Sequence, residues 1–181
     1  VNKPVKGTIT IEGVQVTTIK HKELSSLTGF LIQNPDLMLF CETVERELLF
    51  GPEHKRVNRA EALSRTNSML DNLDLEEYRL EPPFSLSVGQ RLRTALGAVL
   101  TMRPRVLLLD EPTTGLDPVI GQAILELIDS CHKDILFTGI IVTHEIPRIF
   151  RFVDRVLMIY EGKVRVDASP ADLAQLNDPV V

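Results

Sequence analysis

No apolar run in the sequence approaches the about 20 residues that a membrane-spanning helix needs. The runs present, such as Val106 to Leu109 and Ile140 to Val142, are the length of strands. There is no excess of basic charge: 20 Lys and Arg stand against 25 Asp and Glu, a formal net charge of −5. A general nucleic-acid binder would instead present a basic face. Cysteine is scarce. Cys41 and Cys131 have no paired motif spacing and read as ordinary thiols of a reducing compartment. The first residues lack the basic start, apolar core and small-residue cleavage site of a signal peptide. No internal repeat or low-complexity tract is found. These absences exclude a membrane-spanning chain, a disulfide-framed secreted one and a nucleic-acid-coating one, and the expectation is a soluble cytosolic protein. With 44% hydrophobic residues, 181 residues suffice for one compact domain or for a domain with a small lobe. The chain opens on Val1 and runs at once into strand-like residues, so it is expected to begin inside a longer product.

What is present alternates between strand and helix patterns. Thr8, Thr10 and Glu12 alternate with Ile9, Ile11 and Gly13, predicting an edge hairpin strand. A short strand through Phe30, Leu31 and Ile32 stops at the turn-rich Gln33-Asn34-Pro35-Asp36. From about Cys41 to Leu80 the pattern is helical, with Val57, Ala60, Leu63, Leu70 and Leu73 on one face. Pro82 and Pro83 close that region. A helix with Leu92, Leu96, Val99 and Leu100 on one face follows, ending near Arg103-Pro104. Val106 to Leu109 is a continuous apolar run, as expected of a strand buried on both faces in a parallel sheet. Ile120, Ile124, Leu127, Ile128 and Cys131 predict a helix from about Val119, and Ile140 to Thr143 another buried strand. A helix through Ile149, a hairpin about Glu161-Gly162 and a short helix after Pro170 complete the reading. This order defines an α/β domain with a mostly helical insertion.

The acidic pair Asp110-Glu111 stands at the carboxyl end of the apolar strand, where α/β sheets place their ligands. Hydrolysis of a nucleoside triphosphate needs a carboxylate near Mg²⁺ and a group that orients the attacking water. Asp110 is placed for the first role and Glu111 for the second, although alone the pair equally reads as two solvated acids. Leu86-Ser87-Val88-Gly89-Gln90 begins a helix. Free backbone N–H groups and the positive end of the dipole there suit a phosphate. Ser87 reads just as well as a simple N-cap. Gly115-Leu116-Asp117 follows, and then His144 at the end of the next buried strand. A lone histidine in that place is more often structural, but this one would reach the same sheet edge as Asp110 and Glu111.

Together, Gln33, Leu-Ser-Val-Gly-Gln at 86–90, the strand ending in Asp110-Glu111-Pro112, Gly115-Leu116-Asp117 and His144 resemble the Q-loop, signature, Walker B, D-loop and H-loop of the ABC ATPase family. The resemblance runs from Gly7 to Leu173. Gln33-Asn34-Pro35-Asp36, Leu39-Phe40, Thr43-Val44 and Phe50-Gly51-Pro52 look narrower still. They are similar to the ATPase subunits of energy-coupling-factor importers, which take up vitamins and transition-metal ions. The resemblance implies a P-loop NTPase-like, mostly parallel sheet flanked by helices, with a helical signature subdomain and an N-terminal β edge. It divides the chain into residues 1–35, the first part of the ATPase core; 36–103, the helical subdomain; and 104–181, the rest of the core. It implies ATP and Mg²⁺ as ligands. Gln33 and Asp110 would hold Mg²⁺, Glu111 would act as base toward water, and His144 would contact the γ-phosphate. Ser87, Gly89 and Gln90 would meet the nucleotide held by the opposite subunit, and Asp117 would connect the two sites. The implied partners are a second ABC ATPase subunit, identical or related, and a membrane component received by a groove of Asp36 to Phe40 and the helical insertion. The chain would then sit on the inner face of the cell membrane, with cargo chosen by the membrane components.

Two departures from the family stand out. The first glycine of the signature is Val88, a β-branched residue that must be extended or helical. And no Gly-x-x-x-x-Gly-Lys-Ser/Thr occurs in the 181 residues, nor an upstream aromatic to stack on adenine. That loop supplies the backbone cradle, the lysine and the hydroxyl that grip the phosphates. The expectation is weak MgATP binding by this chain alone. A bared sheet edge at the strand of Val106 to Leu109 should also favour self-association. A non-hydrolysing partner that only lends its signature is the competing reading, disfavoured by the intact Asp110, Glu111 and His144. A chromosome-organising head split by a coiled coil is disfavoured by the short, heptad-free interval from Gln33 to Ser87.

Overall fold

The computed structural model describes residues 7–146 and 148–173. β1 (Thr10–Ile11) and β2 (Val14–Gln15) form a short antiparallel hairpin turning on Glu12 and Gly13, both at positive φ (51° and 80°). α1 (His21–Leu27) then leads into β3 (Thr28–Leu31). The sequence pattern does not reveal α1, because none of its seven residues is buried and no apolar stripe marks it.

The helical insertion holds α2 (Val44–His54) and α3 (Arg59–Asn72), joined by a short link. Each starts where a side chain satisfies a free N–H. Thr43 Oγ1 accepts from the Arg46 amide at 3.2 Å and Asn58 Oδ1 from the Ala60 amide at 2.9 Å. On α3 the buried residues are Ala62, Thr66, Met69 and Leu70, so the face is rotated from the expected Val57, Ala60 and Leu63. Tertiary packing against α2 and α4 (Val88–Leu100) sets that face rather than apolar spacing alone.

β4 (Val106–Asp110), α5 (Pro118–Ile135) and β5 (Thr138–Val142) follow. α5 starts with Asp117 as cap and proline at its first position, the place where a missing N–H costs nothing. β3, β4 and β5 pair in parallel in that order, with Leu31 opposite Leu109 and Asp110 opposite Val142. β4 is therefore central and paired along both edges. This corrects the expectation of an open edge at Val106 to Leu109. The free edge on that side belongs to β5, where Ile140 and Val142 are 50% and 57% exposed.

One core joins the sheet to the helices. Leu31, Leu107 and Leu109 pack with Leu48, Leu70, Leu73, Leu96, Leu100 and Ile124 in a single buried cluster. Each such side chain contributes roughly 1.5–3 kcal/mol by leaving water. β3 and α4 approach closely because Gly29 carries no side chain: a Cβ there would lie 2.5 Å from Val99 Cγ1. β6 (Val156–Tyr160) and β7 (Lys163–Ala168) form the expected hairpin about Glu161-Gly162, and α6 (Pro170–Leu173) follows it. The helix expected through Ile149 is only a 3-10 turn over Arg148–Arg151. The sequence carries a proline at 147, which disfavours helical backbone in the residue before it.

Candidate functional site

Three adjacent parallel strands end on the same side of the sheet, and each delivers one of the singled-out residues. Gln33 lies exposed in a bend two residues past β3, Asp110 ends β4 with Glu111 just beyond, and His144 lies two residues past β5. The Glu111 amide donates to the Val142 carbonyl at 2.9 Å, extending the β4–β5 ladder by one bond. The chain then turns sharply. Glu111 has φ of 49°, a left-handed conformation that costs an L-residue roughly 1–2 kcal/mol. The turn is held by the Thr114 amide donating to the Glu111 carbonyl at 3.2 Å, and Gly115 follows at φ of 81°.

This turn carries the Glu111 carboxylate to His144. Oε1 lies 2.8 Å from His144 Nδ1, and Oε2 accepts from Thr114 Oγ1 at 2.8 Å. Partial burial alone pushes the Glu111 carboxyl up. The hydrogen bonds from His144 and Thr114 and the imidazolium charge outweigh it, and hold the group below its ordinary value. The same bond and the charge of Glu111 raise the His144 imidazole above its ordinary value. The carboxylate side chain is 20% exposed and the imidazole 71%, so this is a half-open ion pair. Its attraction is reduced by water.

The signature residues are organised by their own helix. Ser87 Oγ accepts from the Gln90 amide at 3.4 Å, and Gln90 Oε1 accepts from the Ser87 amide at 2.9 Å, a capping box. The N-cap alternative is thus realised, and Val88 is helical at the first position, one of the two conformations its β-branching allows. Gly89 is buried, and a Cβ there would come 3.1 Å from Ile120 Cγ2 near the start of α5. The bonds of Ser87 and Gln90 run within the helix start, not to Glu111 or His144. Asp117 is likewise committed to α5, accepting from the Val119 amide at 2.8 Å.

Contacts that the sequence does not disclose tie these parts together. Asp36, just past Gln33, pairs with Arg91 Nε at 2.6 Å, while Arg91 also donates to the Leu86 carbonyl at 2.6 Å. The Gln33 loop is thereby tied to the start of α4. Buried Glu47 accepts at Oε2 from the amides of Phe40 and Cys41 at 2.9 and 2.7 Å. Burial, together with the Glu47 carboxylate, pushes the Cys41 thiol up to about 11. Glu47 also lines an apolar cavity of about 210 Å³ with Phe30, Met38, Phe40, Phe50 and Val99. Phe40 and Phe50 meet edge to face, their centroids 4.8 Å apart. No spacing rule reveals these contacts, since their partners are distant or on different elements.

Among the described residues, no group of three or more His, Cys, Asp or Glu side chains could hold a metal on its own. The donors present fit Mg²⁺ only as an ion shared with phosphates, since this cation keeps few protein ligands. No described helix is long and apolar enough to cross a membrane.

The model for the ABC transporter family matches residues 1–114, and the chain belongs to that family. Among its relatives are the energy-coupling factor transporter ATP-binding proteins EcfA2 of Clostridium tetani and of Ligilactobacillus salivarius. The first is 37% identical over 175 residues, covering 94% of this chain and 61% of the relative. The second is 39% identical over 183 residues, covering 98% and 62%. The chain thus spans about three fifths of the length of these two relatives. A solved structure, cbiO1 from Clostridium perfringens, described as part of the ABC transporter complex cbiONQ, superposes with a TM-score of 0.88. It is 31% identical, and the match covers 97% of this chain and 70% of that one. That likeness bears out the expected α/β fold, a parallel sheet flanked by helices.

Proposed function

We propose that this chain is the larger part of an ATP-binding and ATP-hydrolysing subunit that powers an importer of the energy-coupling-factor type. The observation that carries the reading is the Glu111–His144 pair, held at 2.8 Å beyond two neighbouring parallel strands, with Asp110 beside it. The names of the EcfA2 relatives support the importer class. Division into residues 1–35, 36–103 and 104–181 follows the same reading.

In this proposal Glu111 accepts a proton from the attacking water, and its depressed pKa keeps it ionised and ready to do so. His144 leaves Glu111 for the γ-phosphate when nucleotide arrives, which frees the Glu111 oxygen for water. Asp110 and Gln33 would hold Mg²⁺ together with the phosphates, and the ion would neutralise charge on the transferred group. The Ser87–Gly89 helix start, with Val88 51% exposed, faces nucleotide of a second subunit. The apolar cavity lined by Phe30, Phe40 and Phe50 receives a membrane component, which places the chain peripherally on the inner face of the membrane. Because the 181 residues hold no Gly-x-x-x-x-Gly-Lys-Ser/Thr, the phosphate cradle is assigned to residues outside them, and this chain alone binds MgATP weakly.

The test is ATP turnover by the assembled ATPase with Glu111→Gln. The expected loss is on the order of 10²- to 10⁴-fold with nucleotide binding retained. Turnover within a few-fold of the parent would remove Glu111 from its role.

A further inference from the structure

The exposed His144 ring needs more than its single bond to Glu111 to stay in place. A pair this open to solvent contributes little by itself: exposed ion pairs hold by about 0–1 kcal/mol. Yet residues 143–145 lie past the last β4–β5 ladder partners, Asp110 and Val142. A second contact between the two loops supplies the missing restraint. Thr113, on the Glu111 turn and only 3% exposed, donates through Oγ1 to Glu145 Oε2 at 3.0 Å. Arg148 donates to the same oxygen at 3.1 Å. The Glu145 amide in turn donates to Thr143 Oγ1 at 3.0 Å, and the Ile146 amide to the His144 carbonyl at 3.1 Å, so the loop is folded tightly around His144. Gly121 of α5 leaves room for this cluster. A Cβ there would lie 3.3 Å from the Arg148 guanidinium and 3.5 Å from Thr113 Cβ.

The two loops are thus joined reciprocally. One acid of the first, Glu111, takes the histidine of the second, and one acid of the second, Glu145, takes a hydroxyl of the first. We infer that Glu145 and Thr113 are positioning residues that brace the His144 loop against the Glu111 turn and so fix how the His144 ring meets Glu111. The bond from Thr113 is partly buried and made to a charged acceptor, which places it among the stronger hydrogen bonds. It restrains the backbone on either side of His144 while leaving the ring free to exchange one partner for another. This inference rests on the ATPase reading for its catalytic consequence, but not for the brace itself.

Thr113→Val removes the hydroxyl at nearly constant volume, and Thr113→Ser restores it. In the assembled ATPase, Thr113→Val is expected to lower kcat by on the order of 10- to 100-fold, as for a misplaced catalytic group, with the KM for ATP within about twofold. Thr113→Ser should return most of the turnover. On this chain alone, the ¹⁵N shift of His144 Nδ1 is expected to move in Thr113→Val and to stay at the parent value in Thr113→Ser. Thr113→Ala, which also removes the hydroxyl and leaves the Glu145 charge in place, is the alternative should Thr113→Val fail to fold, and should move the same ring signal. An unmoved Nδ1 signal in a folded Thr113→Val or Thr113→Ala chain would overturn the brace, as would parental kcat in the assembled enzyme. If the assembled parent hydrolyses no ATP, the ATPase reading fails, and the ring signal still decides the brace.

Discussion

Gly29 is where the strand leading to Gln33 touches the helix that begins at Ser87. Its replacement by alanine therefore probes the packing that positions both. An added Cβ would lie 2.5 Å from Val99 Cγ1, 3.1 Å from Pro104 Cγ and 3.2 Å from Leu107 Cδ1. None of these neighbours gives way easily. Val99 is β-branched and held near one χ1 in a helix, Pro104 is a ring, and Leu107 is fully buried. The helix must therefore move off the strand. Overpacking of this kind costs about 1–3 kcal/mol, and stiffening of the unfolded chain returns about 0.4–1 kcal/mol. Gly29→Ala is thus expected to lose a net of about 1.3 kcal/mol at the middle of those ranges, read by urea unfolding followed by circular dichroism with the slope unchanged. The sharper form is a double-mutant cycle with Val99→Ala, which removes the clashing methyl. The pair should cost less than the sum of the single changes, by about 1 kcal/mol or more within the usual coupling range of contacting residues. Strict additivity would refute the contact, and so would a Gly29→Ala chain as stable as the parent.

Glu47→Ala leaves the Phe40 and Cys41 amides without their acceptor. It should cost about 2–4 kcal/mol by thermal or urea unfolding, at about 1.5–3 kcal/mol per bond to a charged group with incomplete additivity. It should also speed alkylation of Cys41, whose thiol Glu47 helps to suppress. The Glu111–His144 pair has a defined pH window. The histidine's pKa is raised from 6.5, so its share of stability is complete below 6.5 and is lost as pH rises through the raised value. The carboxyl's pKa is lowered from 4.5, so its share is complete above 4.5 and is lost as pH falls through the lowered value. An NMR titration of the His144 ring should give a midpoint above 6.5 that Glu111→Gln shifts downward. A midpoint unmoved by Glu111→Gln would show that the two groups do not interact in solution.

What the sequence discloses here depends on how local its cause is. The apolar run Val106 to Leu109 betrays β4 because a central parallel strand carries apolar residues on both faces, although Leu107 and Leu109 are buried and Val106 and Leu108 only half-buried. Asp110 and Glu111 are legible at its end for the same reason. Val88 is legible only as extended or helical, since its β-branch excludes the glycine conformation, and α5 is legible because Ile124, Ile128 and Cys131 recur on one buried face. The order of strands is not local. The expectation of an open edge beside Val106 to Leu109 failed because nothing in that run states that β5 pairs there. α1 has no buried residue to betray it, and the α3 face turned on packing partners far along the chain. The Thr113–Glu145 and Asp36–Arg91 contacts bridge 32 and 55 residues, beyond the reach of any spacing rule.

On the proposed reading, these residues form the carboxylate, histidine and signature part of an ABC ATPase site whose phosphate cradle lies outside them. Calorimetric titration with MgATP tests it most directly, first on this chain alone and then with an ABC ATPase subunit that carries its own Gly-x-x-x-x-Gly-Lys-Ser/Thr loop. No submillimolar binding by the chain alone is expected, and ATP-dependent association is expected once the second subunit is present. Submillimolar MgATP binding by this chain on its own would contradict it, and would mean that another segment of these residues holds the phosphates.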